Sequence, residues 1–137
     1  MRRAAWLLAV LLLAACGESS AAAHAREQSI EALAALKSYG VEQRDAFVQE
    51  LSARMTLLDR QLDELKARSA RTAAGAKAEI EDAIAGLQEK RDALADHVLH
   101  VRQVGEEGWT RSRDATVDSF ENFTDAINAA ASRFRDA

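Results

Sequence analysis

The sequence predicts an all-α protein, either a long antiparallel helical hairpin or a three-helix coiled-coil bundle, preceded by an N-terminal signal helix. Three observations support this fold class. The 137 residues include no proline, and helix-favouring alanine, leucine, glutamate and arginine are abundant. Apolar residues recur in two long stretches at alternating spacings of three and four, which is the heptad pattern of coiled coils. No stretch shows the alternation of apolar and polar residues that marks a strand.

Residues 1–15 have the organisation of a secretory signal peptide. Arg2 and Arg3 supply positive charge, residues 4–13 are all apolar, and two alanines precede Cys16. The apolar run is too short to span a bilayer, which needs about 20 apolar residues. We predict that residues 1–15 are removed, which changes the formal net charge from −4 to −6 because two arginines are lost.

Cys16 is the only cysteine and resembles the attachment site of bacterial lipoproteins. Leu13, Ala14, Ala15 and Cys16 match the lipobox of that family, L-[AS]-[GA]-C, at all four positions. The resemblance implies that Cys16 receives a diacylglyceryl group, that cleavage follows before it, and that fatty acids such as palmitate hold the protein on the membrane. Two or more acyl chains anchor a protein stably. The alternative is an ordinary secretory signal that is cleaved without lipidation.

The resemblance also implies a location. In Gram-negative lipoproteins an aspartate directly after the lipidated cysteine usually causes retention in the inner membrane, whereas this chain has Gly17. We therefore expect an envelope protein on the outer membrane, facing the periplasm if the source is Gram-negative. Residues 16–24 are predicted to form a lipidated tether, and residues 25–137 one helical coiled-coil domain.

The helical domain starts with a weak helix and then gains a strong heptad pattern. Apolar residues make only a thin stripe in residues 25–38, and Tyr39 and Gly40 interrupt it. A first heptad stripe follows, with spacings of three and four. Its members are Val48, Leu51, Met55, Leu58, Leu62 and Leu65.

A second stripe follows, but it does not continue the heptad count of the first. The interval between the two stripes is five heptads plus one residue. Either the helix continues through residues 69–77 with a skip, or the chain turns there at Gly75. The helix-forming residues around Gly75 favour continuity. In that case the first stripe extends beyond the reach of the last helix, and its six residues form a seam for a partner or a second copy. If the chain turns, they form the core of a monomer. The second stripe consists of Ile84, Leu87, Arg91, Leu94, Val98 and Val101.

The second break is predicted between Gly105 and Gly108, with a last helix over about 109–135. A short connection between helices of similar length makes them antiparallel neighbours. The aromatic residues of the last helix are expected to be buried against the helix before it. They are Trp109, Phe120, Phe123 and Phe134.

Three segments, residues 58–69, 79–94 and 105–120, resemble a group of small bacterial coiled-coil proteins that are described as stress-response or apolipoprotein-like. In that group, as in this chain, a glycine-containing break precedes a tryptophan that opens the last helix, here Trp109. The residues after it, through Arg113, are more basic than is usual in the group. The resemblance implies helices and a role in envelope stress, and it assigns no catalytic or binding residue.

We expect no enzyme activity, no cofactor and no metal site. The sequence has no glycine-rich phosphate loop and no nucleophile motif. His97 and His100 are spaced to lie near each other on a helix, with Asp96 beside them, but a match this short is weak evidence for a metal. The acidic charge also argues against nucleic acid as a partner.

Two functional hypotheses follow. The first is a membrane-anchored structural or interaction module that binds a protein partner or a second copy through its coiled coil. The second is an apolipoprotein-like binder of lipid or other apolar ligands, which would open its bundle to expose Phe120, Phe123 and Phe134. The last helix is slightly acidic rather than basic on its polar face, so the first hypothesis is favoured.

Overall fold

The computed structural model describes residues 30–135, and these are helical apart from short connections. The prediction of an all-α protein is confirmed, because no residue in that range belongs to a strand. Residues 30–37 are helical and are followed by a short 3-10 turn, Val41–Gln43. Three long helices come next: α1, Arg44–Arg71; α2, Ala74–Gln103; and α3, Glu106–Arg133.

The chain divides into two units after Ala35. The described part of the first unit is residues 30–35, which are helical, and the side chain of Ile30 there is 67% exposed. The second unit begins at Leu36 and contains all three long helices. The predicted signal peptide, the tether and Cys16 lie outside the described residues.

The second unit is a three-helix bundle in which α2 makes the most extensive contacts, with α3 and then with α1. The heptad stripes of the helices face one another, so large apolar side chains are removed from water. Each such side chain stabilises the fold by about 1.5–3 kcal/mol. The apolar side chains of the core with 0% exposure are Leu36, Phe47, Leu51, Ile80, Leu94, Val101, Val117, Phe123 and Ile127.

The chain turns between α1 and α2, so the favoured prediction of one continuous helix is wrong and the three-helix alternative is right. α1 ends at Arg71, and Thr72 and Ala73 adopt extended backbone. The Thr72 hydroxyl donates to the carbonyl of Arg68 (2.7 Å), which satisfies one of the carbonyls at the end of the helix. Gly75 lies inside α2, and no described residue has positive φ, so the turn does not depend on glycine.

The physical reason for the turn is the first heptad stripe. A continuous helix would leave its large apolar side chains without a covering helix, whereas a two-residue connection folds α1 back onto α2. The residues around the turn are good helix formers and are compatible with both a continuous helix and a turn. Burial of the stripe, which is a tertiary effect, therefore decides between them.

The break predicted between α2 and α3 is confirmed. Val104 and Gly105 are extended and separate the two helices. α3 begins at Glu106, three residues before the predicted start at Trp109, and ends at Arg133. Acidic residues in its first turn interact favourably with the positive end of the helix dipole.

Candidate interaction surface

The first heptad stripe is not available as a surface in the folded chain. Five of its six side chains are at most 9% exposed, and Met55 is half-buried. The prediction that the stripe forms a seam for a partner or a second copy depended on a continuous helix. Because the chain turns instead, that prediction is wrong as well. The five buried residues form the monomer core: Val48, Leu51, Leu58, Leu62 and Leu65.

The four aromatic residues predicted to line the last helix are all buried, at 8% exposure or less. Trp109 has the most specific environment. Its ring meets Phe47 edge to face at 5.6 Å between centroids, and its Nε1 donates to the carbonyl of Tyr39 (2.9 Å). The guanidinium of Arg44 lies 5.6 Å from the centre of the same ring, which adds a cation–π contact.

A polar cluster holds Tyr39 at this end of the bundle. The Tyr39 carbonyl also accepts from Nη1 of Arg113 (3.0 Å), and the Tyr39 hydroxyl donates to Glu50 (2.5 Å). Arg44 donates to the carbonyls of Arg102 and Val104, at the end of α2. The roles of these side chains were not foreseen, because the contacts join parts of the chain that are distant in sequence. The cluster fixes the segment that leads into the bundle.

The structure places both histidines of the candidate pair on α2. His97 is half-buried on α2, and His100 is exposed. Within residues 30–135 there is no group of three or more His, Cys, Asp or Glu side chains arranged to hold a metal ion. The carbonyl of His97 accepts a long hydrogen bond from the hydroxyl of Thr116 (3.4 Å), so this part of α2 is packed against α3.

A shallow groove between α1 and α2, which we call the α1/α2 groove, is lined partly by apolar side chains. Leu99 is 56% exposed at its rim. Only two other large apolar side chains in the described range are as exposed, Ile30 and Leu57, and neither lines this groove. The residues of the groove that matter here are Met55, Asp59, Ala95, Val98, Leu99 and Arg102.

At one end of the α1/α2 groove, Asp59 forms an ion pair with Arg91. Asp59 accepts two hydrogen bonds from Arg91, at 2.7 and 3.1 Å. This pairing raises the pKa of Arg91 above its usual value, with smaller contributions from the carboxylates of Asp92 and Asp63. Lys66 is nearby and donates to Gln88.

No helix in the described residues is both long enough and apolar enough to cross a membrane. No protein-family model, curated protein or solved structure matches this chain.

Proposed function

We propose that this protein is a membrane-anchored envelope lipoprotein whose three-helix bundle acts as a structural and interaction module. The observation that carries the proposal is the sequence Leu13-Ala14-Ala15-Cys16 at the end of the apolar run. A positive start, a short apolar run and small residues at the cleavage site are the features that signal peptides share. The lipobox match also gives the single cysteine a role, because it makes Cys16 the site of lipid attachment.

The order of the chain suits this arrangement. The lipidated cysteine would hold the bundle at the membrane through residues 16–24. Two or three acyl chains are enough for stable attachment without a spanning helix. In a Gram-negative cell, Gly17 in place of aspartate supports the outer membrane as the destination, with the bundle in the periplasm.

The described side chains support an interaction module rather than a catalytic one. Several polar groups of the bundle pair with one another as ion pairs and helix-end contacts, such as Asp59 with Arg91 and Arg44 with the end of α2. A bundle of this kind presents rigid helix faces to a partner. The resemblance to small coiled-coil stress-response proteins agrees with a role in the envelope, where the partners would be other envelope proteins or copies of the chain.

A membrane-fractionation experiment tests the anchor. In Cys16→Ser the lipid acceptor is lost, so the protein should stay unprocessed or appear in the soluble fraction, whereas wild type remains in membranes at high salt. A matched control is Cys16→Ser combined with Ser19→Cys, which keeps one cysteine but moves it out of the lipobox. This control should behave like Cys16→Ser. If a processed Cys16→Ser protein remains with membranes at high salt, the lipid anchor is wrong.

The lipid-binding hypothesis ranks second on the observed packing. Phe120, Phe123 and Phe134 face the core, so binding a membrane through them would require α3 to leave the bundle. That would expose several side chains, each at a cost of about 1.5–3 kcal/mol before any lipid contact is gained.

A further inference from the structure

We propose that Met55 is a reversible oxidation site, at which peroxides convert the thioether to methionine sulfoxide while the three-helix bundle stays folded. The inference goes beyond the proposed function, because it adds a modification site to the bundle. It holds whether or not Cys16 carries lipid, so the two can fail separately.

Met55 is the exception within the first heptad stripe. The other five side chains of the stripe are at most 9% exposed, whereas Met55 is half-buried. Leu51 and Leu58, which precede and follow it in the stripe, are 0% and 6% exposed. A chemical change at Met55 therefore takes place at the edge of the core rather than inside it.

The α1/α2 groove provides space beside Met55. The side chain lines this groove, which has a volume of about 350 Å³. A water molecule occupies about 30 Å³ in the liquid, and hydrogen peroxide is only one oxygen atom larger. The groove therefore has room for the oxidant and, after the reaction, for the oxygen that is added to the sulfur.

The groove also supplies hydrogen-bond donors for the product. A sulfoxide oxygen left unpaired beside apolar side chains would be unfavourable. Ser52, one helical turn before Met55 on α1, contributes a hydroxyl, and Arg102 on α2 contributes a guanidinium. Arg102 is exposed and takes part in none of the ion pairs formed by the described residues. Its N–H groups can therefore donate to the new oxygen.

The reaction needs only a peroxide as oxidant. The sulfur attacks one peroxide oxygen, so that an S–O bond forms while the O–O bond breaks and hydroxide departs. The hydroxide takes the proton of the new S–OH group and becomes water. The sulfur loses two electrons and the peroxide gains them. Methionine sulfoxide reductases reverse the change at the expense of a reductant.

Oxidation at Met55 would alter the surface that the bundle presents. The sequence has two methionines, and Met1 lies in the segment that is predicted to be removed. Trp109, another side chain that oxidants can attack, is only 3% exposed. Met55 is therefore the methionine that an oxidant meets in the mature chain. Its sulfoxide would place a polar group beside the exposed Leu99, and so would make the α1/α2 groove less apolar.

Peptide mass mapping tests the proposal on the full-length chain, purified in detergent and treated with hydrogen peroxide. Met55 should gain one oxygen atom, at a rate within about tenfold of its rate in the same chain unfolded in urea. Treatment with methionine sulfoxide reductases for both epimers should remove that oxygen. A folded chain that reacts more slowly than this, or a sulfoxide that the reductases leave in place, would overturn the proposal.

Thermal unfolding followed by circular dichroism provides the second readout. The oxidised wild type should keep its helical signal and melt a few degrees lower, whereas Met55→Leu should show no shift after the same treatment. Arg102→Ala removes a donor to the sulfoxide, so oxidation should lower its melting temperature at least about twice as much as in wild type. Arg111→Ala makes the same change at an exposed position on α3 and should respond like wild type. Loss of the helical signal on oxidation, or equal shifts in the two arginine variants, would contradict the assignment.

Discussion

At the scale of single residues, the bundle is held at one end by contacts that no local pattern reveals. Trp109 was expected in the core from its place on the heptad face. Its partners Phe47 and Arg44, and the carbonyl of Tyr39, come from a distant part of the sequence. A periodic pattern shows which face of a helix is buried, but not which side chain of another helix meets it. The polar cluster around Tyr39 was missed for that reason.

The hydrogen bond from Tyr39 to Glu50 predicts a pH-dependent contribution to stability. The hydrogen bond donated by the Tyr39 hydroxyl lowers the pKa of Glu50 below its ordinary value of 4.5. A hydrogen bond from Arg54 is the second largest cause of this lowering. The contribution is therefore present above pH 4.5 and is lost as the pH falls through the lower pKa of the folded state. Tyr39→Phe keeps the ring beside Phe47 and removes only the hydroxyl.

Urea unfolding of wild type and Tyr39→Phe, measured at pH 7 and at pH 3, checks this prediction. The free energy of unfolding should be lower for the variant at pH 7. The difference should be smaller at pH 3, because that pH lies below the ordinary pKa of 4.5 and the contribution of the lowered pKa of Glu50 is being lost there. A difference that stays constant between the two pH values would contradict the assignment.

At the scale of helices, most of the architecture could be predicted from the sequence. The heptad stripes indicated the long helices, and the glycines at 105 and 108 indicated the break before α3. The turn at Thr72 and Ala73 could not be predicted, because its residues are compatible with a helix and its backbone needs no glycine or proline. Only the burial of the first stripe against α2 favours the turn over a continuous helix.

Two glycines inside helices should respond oppositely to alanine. A Cβ at Gly108 would lie 2.5 Å from Cγ2 of Val104, a stiff β-branched side chain, whereas a Cβ at Gly86 would meet nothing within 4 Å. Gly86→Ala should therefore stabilise the protein by up to about 1 kcal/mol through helix propensity. Gly108→Ala should destabilise it by about 1 kcal/mol, because overpacking exceeds that gain.

Thermal unfolding followed by circular dichroism measures both glycine variants. The melting temperature should rise for Gly86→Ala and fall for Gly108→Ala. If both rise by the same amount, the close approach of α3 to Val104 is not a constraint on the chain.

At the scale of the whole molecule, the bundle buries the first heptad stripe, its strongest apolar stripe, in its own core. This predicts different results for two adjacent leucines of α1. Leu58 is 6% exposed and Leu57 is 57% exposed. Leu58→Glu places a carboxylate in the core and removes apolar contacts, so it should cost about 3 kcal/mol or more, a large part of the stability of a small domain.

Leu57→Glu makes the same chemical change on the surface and should alter stability by no more than about 0.5 kcal/mol. Circular dichroism melts of the two variants and the wild type make the comparison. If Leu58→Glu keeps the wild-type melting temperature, the first stripe is not the core of a single chain, and the continuous helix has to be reconsidered.

Mass spectrometry of the protein extracted from membranes tests the central claim most directly. If the chain is a lipoprotein, its N-terminal peptide begins at Cys16, and its mass exceeds that of the bare peptide by a diacylglyceryl group and a fatty acyl group. A peptide that begins at Cys16 without added lipid, or a chain that still begins at Met1, would contradict the account.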